Sequence, residues 1–112
     1  MKKVYISAPM CGSTDEMLKK VKRYTEYALK CGTAPVVPHF YAMCLRENSE
    51  ETQDIIHSAS QGLLWFCDEM WVFGDSITHQ MEKDIQFCKI MNIHYKFISD
   101  SDIRKILGGY KK

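Results

Sequence analysis

Cys67-Asp68-Glu69-Met70-Trp71-Val72-Phe73-Gly74-Asp75-Ser76, read with the residues that follow it to Ile98, decides the fold. Met70 to Phe73 is an apolar, β-prone run, and Gly74-Asp75-Ser76 stops it. The period then changes. Met81, Ile85 and Cys88 fall at i, i+4 and i+7, one apolar stripe on an amphipathic helix from about Ile77 to Met91. Another strand, Ile93 to Ile98, follows it. A strand, a crossover helix and a strand in this order imply parallel pairing. Open parallel sheets bind ligands just beyond the carboxyl ends of their strands. Chemistry is therefore expected at Gly74, Asp75 and Ser76 and on the first turns of the next helix. One carboxylate there, Asp84, sits among largely apolar neighbours, and two readings of it are open: a catalyst or a solvated helix residue.

Upstream, Val4 to Ser7 reads as the first strand, and Ala8-Pro9-Met10-Cys11-Gly12 ends it as a loop. Ser13-Thr14-Asp15-Glu16 has the form of a capping box, with Ser13 pairing with Glu16. The helix that follows runs to about Lys30 with Leu18, Val21, Thr25, Ala28 and Leu29 inward, and Gly32 stops it. A strand, a loop of small residues and a helix N-terminus can hold an anion on backbone N–H groups, although the same stretch also serves as an ordinary strand-to-helix turn. Neither G-x-G-x-x-G nor G-K-[ST] occurs in it, so a dinucleotide fingerprint and a P-loop are poorly supported.

Ala34 to Val37 is a second short strand between Pro35 and Pro38, and Pro35 suits a strand start or a sheet edge. His39-Phe40-Tyr41 leaves its carboxyl end, on the ligand side. Asn48 with Glu51, or Ser49 one residue later, caps a third helix to about Phe66, with Ile56, Ala59, Leu63 and Phe66 inward. At the far end, Ser99-Asp100-Ser101-Asp102 caps a short helix from Ile103 to Leu107, closed by Gly108-Gly109. The sum is an α/β chain with an open parallel sheet of about four strands and helices on both faces. Right-handed crossovers give 2-1-3-4 as the simplest strand order. Ala8 to Ser13 then lies beside Gly74 to Ser76 at the switch point, with His39 to Tyr41 flanking.

The chain has 112 residues, enough for one core, so a single domain over residues 1–112 is expected. A net charge of +1 gives no global pull toward nucleic acid or membrane. Lys19, Lys20, Lys22 and Arg23 read as a solvated helix face rather than a phosphate patch. The N-terminus enters a short strand directly and lacks the apolar core of a signal peptide, so a cytoplasmic protein is expected. Five cysteines at 11, 31, 44, 67 and 88, with no C-x-x-C pair, fit reduced thiols. Cys67 and Cys88 read as core residues, as do most of the aromatics Trp65, Phe66, Trp71 and Phe73, while Cys11 falls in the ligand loop. Histidines 39, 57, 79 and 94 show no ligand spacing, so no metal or cofactor is expected.

Four segments in register carry a family resemblance: Lys3 to Pro9, Pro38-His39, Cys67 to Gly74, and Gln80-Met81-Glu82-Lys83-Asp84-Ile85. Together, from about Lys3 to Ile98, they resemble the nucleoside 2-deoxyribosyltransferase-like superfamily, and most closely its small bacterial and phage members. The resemblance implies a Rossmann/flavodoxin-like domain that binds a nucleoside or nucleotide at the strand ends, usually as a homo-oligomer; with the near-neutral charge, no nucleic acid or membrane partner is expected. Family enzymes cleave the N-glycosidic bond of deoxynucleosides or their monophosphates. Tyr5, Ser7 and Pro9 match the opening segment that lines the family site. Asp68 matches an Asp that contacts the base or orients the sugar. Asp84 takes the place of the Glu nucleophile, and Gln80 that of a Gly, in the pattern G-M-x-x-E-[IL]. Met17 and Gln53 stand where relatives carry Asn and Arg.

The expected catalytic pair is thus Asp84 and Asp68. The expected ligand residues are Tyr5, Ser7, Pro9, Met10, Cys11, Gly12, Ser13, His39, Gly74, Asp75, Ser76, Gln80 and Met81. An Asp is one methylene shorter than a Glu, and retracting a nucleophile by about 1 Å can cost on the order of 10²-fold in rate. Two functions follow: a glycosidic-bond enzyme, or a protein that binds a nucleotide or ADP-ribose-type metabolite without turning it over.

Overall fold

The computed structural model describes residues 1–9, 14–45 and 49–108. Four strands, β1 (Lys3–Ser7), β2 (Ala34–Val36), β3 (Glu69–Val72) and β4 (His94–Phe97), form one fully parallel sheet in the order β2-β1-β3-β4. The helices are α1 (Thr14–Lys30), α2 (His39–Cys44), α3 (Glu50–Trp65), α4 (His79–Met91) and α5 (Asp100–Leu107). This is the Rossmann/flavodoxin-like arrangement expected. The chain leaves β1 toward one edge and β3 toward the other, so right-handed crossovers put α1 and α4 on opposite faces.

The sheet's period of two sorts the core accordingly. Val4, Ile6, Trp71 and Phe73 face α1 and α5, where they pack on Tyr24, Tyr27, Ala28 and Ile103. Tyr5, Met70 and Val72 face α3 and α4 and meet Leu64, Met81 and Cys88. Tyr24 stacks on Phe73 with ring centroids 4.5 Å apart, and Tyr27 lies against Trp71 at 5.7 Å, so aromatic pairs hold α1 to the sheet.

Several boundaries have clear local causes. Gly32 (φ +82) lets the last turn of α1 close, with its N–H on Leu29 O and the Thr33 N–H on Ala28 O. Ser49 caps α3 by accepting from Thr52 N–H, while Asn48 and the Ser13 capping box lie outside the described residues. Ser99 and Asp102 cap α5 reciprocally, which starts that helix at Asp100 rather than Ile103. Thr78 caps α4 by accepting from Met81 N–H at 3.2 Å, so the helix begins two residues after Ile77.

Two inward stripes differ from expectation. On α1 the buried residues are Met17, Val21, Tyr24, Tyr27 and Ala28, whereas Leu29 is 56% exposed. On α3 the buried residues are Ser60 and Leu64, one position along from Ala59 and Leu63, and Phe66 caps the helix at 73% exposure. Both helices are rotated because tertiary contacts to Phe73 and Tyr5, not the count of aliphatic residues, choose the face. Trp71 and Phe73 are core as expected; Trp65 and Phe66 are exposed.

Candidate functional site

The carboxyl ends of β1 and β3 meet as the topology requires. Phe73 N–H donates to Ser7 O at 2.8 Å and carries the pairing to the last residue. Gly74 follows at φ +103, and a Cβ there would lie 2.8 Å from Pro9 Cδ and 3.2 Å from Pro9 Cγ. Only glycine lets the two loops touch in this way. Ala8-Pro9 and Gly74-Asp75-Ser76 are therefore neighbours, while Met10, Cys11, Gly12 and Ser13 lie outside the described residues. His39, at the start of α2, is buried and donates from Nε2 to Ala8 O at 3.3 Å. Its Nδ1 is buried with no partner among the described residues, and burial lowers the ring's affinity for a proton, so the neutral tautomer braces the end of β1.

Asp84 is buried against this junction, 8% exposed. It sits on the α4 stripe between Met81 and Cys88, facing the side of the sheet where β1 shows Tyr5 and Ser7. Ser7 Oγ donates to Asp84 Oδ2 over a long 3.4 Å. Burial pushes the Asp84 carboxyl up to about 7, and the Ser7 hydrogen bond only partly offsets it. Around it are groups that keep their protons. Burial, and then the Asp84 charge, drives the Tyr5 phenol far above its ordinary range. Burial, again followed by Asp84, raises the Cys88 thiol to about 12. Ser60, buried on α3, faces the Tyr5 hydroxyl from the other side. A carboxyl held near neutrality beside protonated hydroxyls can act as nucleophile when ionised or as general acid when not.

Gln80 and Met81 occupy the first turn of α4. Gln80 is one turn before Asp84 (i, i+4), and its Oε1 is buried without a partner among the described residues. Met81 is core, 2% exposed, and its sulfur accepts from the Thr78 N–H at 3.5 Å, in the place a capping Glu would take. Asp68 is not brought to this site. It precedes β3 at the amino end of the sheet, where it accepts from Lys3 N–H at 2.7 Å and pairs with the Lys3 ammonium at 3.7 Å.

A cavity of about 500 Å³ opens on the other side of the Gly74 to Ser76 loop. Its walls include Pro9, Gly74, Asp75 and Ser76, together with Lys19, Lys20, Arg23 and Tyr24 of α1 and Asp100 and Ile103 of α5. The expected ligand residues thus divide between the two faces. Sequence reasoning missed Ser60, because a Ser amid polar helix residues carries no signal. It also read Lys19, Lys20 and Arg23 as plain solvated surface. Among the described residues no three His, Cys, Asp or Glu side chains are placed to hold a metal ion, and no helix is long and apolar enough to cross a membrane.

Residues 2–98 match the family described as a domain of unknown function, DUF7768. The chain belongs to that family. A comparison with curated proteins finds no match in sequence. Among solved structures, a 2-deoxyribosyltransferase from the psychrotolerant bacterium Bacillus psychrosaccharolyticus is similar, with a TM-score of 0.69 and 15% identity over 97% of this chain and 92% of that one. At that identity the likeness shows the fold, which this DUF7768 chain shares nearly end to end.

Proposed function

We propose that this DUF7768 protein binds a nucleoside or nucleotide at the carboxyl ends of β1 and β3 and cleaves or transfers its N-glycosidic bond, with Asp84 as the reacting carboxylate. The observation that carries this reading is Asp84 itself, a buried carboxyl pushed up to about 7 beside Ser7 and Tyr5 at the switch point of a parallel sheet. The shared fold with a 2-deoxyribosyltransferase supports the substrate class.

Ionised Asp84 attacks the anomeric carbon as the bond to the base nitrogen breaks. The base leaves with that electron pair and takes a proton from solvent, and the sugar is left as an ester on Asp84. Water or a second base then attacks the same carbon and restores the carboxylate. Ser7 orients the carboxyl, and the Tyr5 hydroxyl, held protonated by burial, lies near it. His39 fixes the strand end, and the resemblance implies a homo-oligomer around such sites.

The test is to incubate the protein with deoxynucleosides and their monophosphates and to follow free base by chromatography. Release is expected in the wild type and absent in Asp84→Asn. The rate should rise with pH and level off above about 7, as the carboxyl ionises. Equal release by Asp84→Asn overturns the assignment.

One observation favours a second reading, binding without turnover. Gln80, one turn before Asp84, carries a buried Oε1 with no partner among the described residues, and Asp84 is one methylene shorter than a Glu. A ligand that raises the melting temperature yet is recovered intact supports that reading instead.

A further inference from the structure

The α1/α5 face carries a feature that the Asp84 reading does not use. Lys19, Lys20 and Arg23 stand on one wall of the 500 Å³ cavity, at i, i+1 and i+4 of α1. Tyr24, Ile98, Ile103 and Pro9 contribute aromatic and aliphatic surface to the same cavity, and Ser76 adds a hydroxyl. Lys22, the remaining member of the basic run, points to solvent and does not line it.

The volume lies within the range of about 300–1,000 Å³ common for small-molecule sites. Cations outnumber carboxylates on the lining, where Asp75 and Asp100 are the acids. Asp100 is also engaged by Arg104 of its own helix at 3.3 Å. Arg23 is only partly exposed and buries both Nε and Nη2, so its guanidinium is set into the wall rather than free in water. An apolar floor with cations along one wall matches a ligand that has a flat, weakly polar body and one strongly anionic end.

We propose that this cavity is a second ligand site that takes a small organic phosphate, its phosphoryl group held by Lys19 and Lys20 beside the inset Arg23 and its body against Tyr24 and Ile98. It is separate from the Asp84 site. Asp84 packs with Tyr5 and Ser7 on the α3/α4 face, whereas the cavity opens on the α1/α5 face, and the Gly74 to Ser76 loop stands between them.

The test is calorimetric titration of the full chain with adenosine 5′-monophosphate, adenosine and inorganic phosphate, at low and at physiological salt. The monophosphate should bind more tightly than either part alone, and salt should weaken it. Lys19→Ala/Lys20→Ala, which changes two exposed side chains, should weaken it at least about tenfold, and Asp84→Asn should leave it intact. Absence of saturable binding, binding indifferent to the double lysine variant, or binding lost in Asp84→Asn each overturns the proposal. Base release from deoxynucleosides is scored separately, so this site and the Asp84 reading stand or fall independently.

Discussion

At the amino end of the sheet, Asp68 accepts from Lys3 N–H at 2.7 Å, and Glu69 accepts from the Trp71 indole N–H at 2.6 Å and the Lys2 ammonium at 3.0 Å. At the carboxyl end, Asp84 has a Ser7 hydroxyl at 3.4 Å. The outcomes are opposite. The Lys3 backbone N–H holds Asp68 below the ordinary carboxylate range. Burial works to raise Glu69, but Trp71 and Lys2 outweigh it and bring it down. Asp84, with no cation against it among the causes of its shift, is raised to about 7. The amino end uses carboxylates to fasten the strands. The carboxyl end keeps one that would gain from a ligand or a proton.

The largest effect expected is on turnover. Asp84→Asn should lower base release by on the order of 10²–10⁴-fold, and Asp68→Asn should leave it within a few-fold. Comparable losses in both variants, measured by chromatography of free base, would erase the distinction between the two ends.

Stability should separate them next. Because Asp84 has a raised value in the folded chain, folding favours its proton, and stability falls as pH rises from about 4 to about 7, then levels off. Asp84→Asn removes that slope and should be more stable than wild type at pH 8, by on the order of 2–4 kcal/mol. Urea unfolding at pH 5 and pH 8 reads both quantities. Burial of His39 tilts stability the other way over the same interval, so the slope is read against Asp84→Asn, and a wild type whose stability does not fall relative to that variant contradicts the buried-carboxyl account.

Much of this contrast was legible in sequence. The change from a strand period at Met70 to Phe73 to a helix period at Met81, Ile85 and Cys88 fixed the parallel order, and that order brought Ala8-Pro9 beside Gly74. Asp84 was visible as a carboxylate in an apolar stripe. The role of Asp68 rested on the resemblance alone; as the residue before β3 it lies at the amino end of a parallel strand, where it accepts from Lys3 N–H. The rotation of α1 and α3 was hidden too. Tyr24 and Tyr27 are chosen by stacking on Phe73 and Trp71, contacts between residues far apart in the chain. The cavity was hidden for a related reason, since Lys19, Lys20 and Arg23 become a wall only when α5 closes the other side.

Two smaller changes sharpen the comparison. Gly74→Ala must place a Cβ 2.8 Å from Pro9 Cδ at φ +103, and should cost about 1–3 kcal/mol in urea unfolding. Gly32→Ala meets nothing within 4 Å and should cost about 1 kcal/mol, from its φ of +82 alone. Equal costs would mean that the Pro9 contact yields freely. Smallest of all, Lys2→Ala should cost about 0.2–1 kcal/mol, because the lysine is 53% exposed and the Trp71 indole still answers Glu69.

The edge strand β2 has a consequence for what the sheet can join. Ala34 N–H turns inward to Lys2 O at 2.8 Å, so by alternation the backbone nitrogen of the next residue faces away from β1. That residue is Pro35, which has no hydrogen to donate. A foreign strand arriving at this edge would find its central donor missing, so the ladder ends in a covalent full stop where one more strand could otherwise have been recruited.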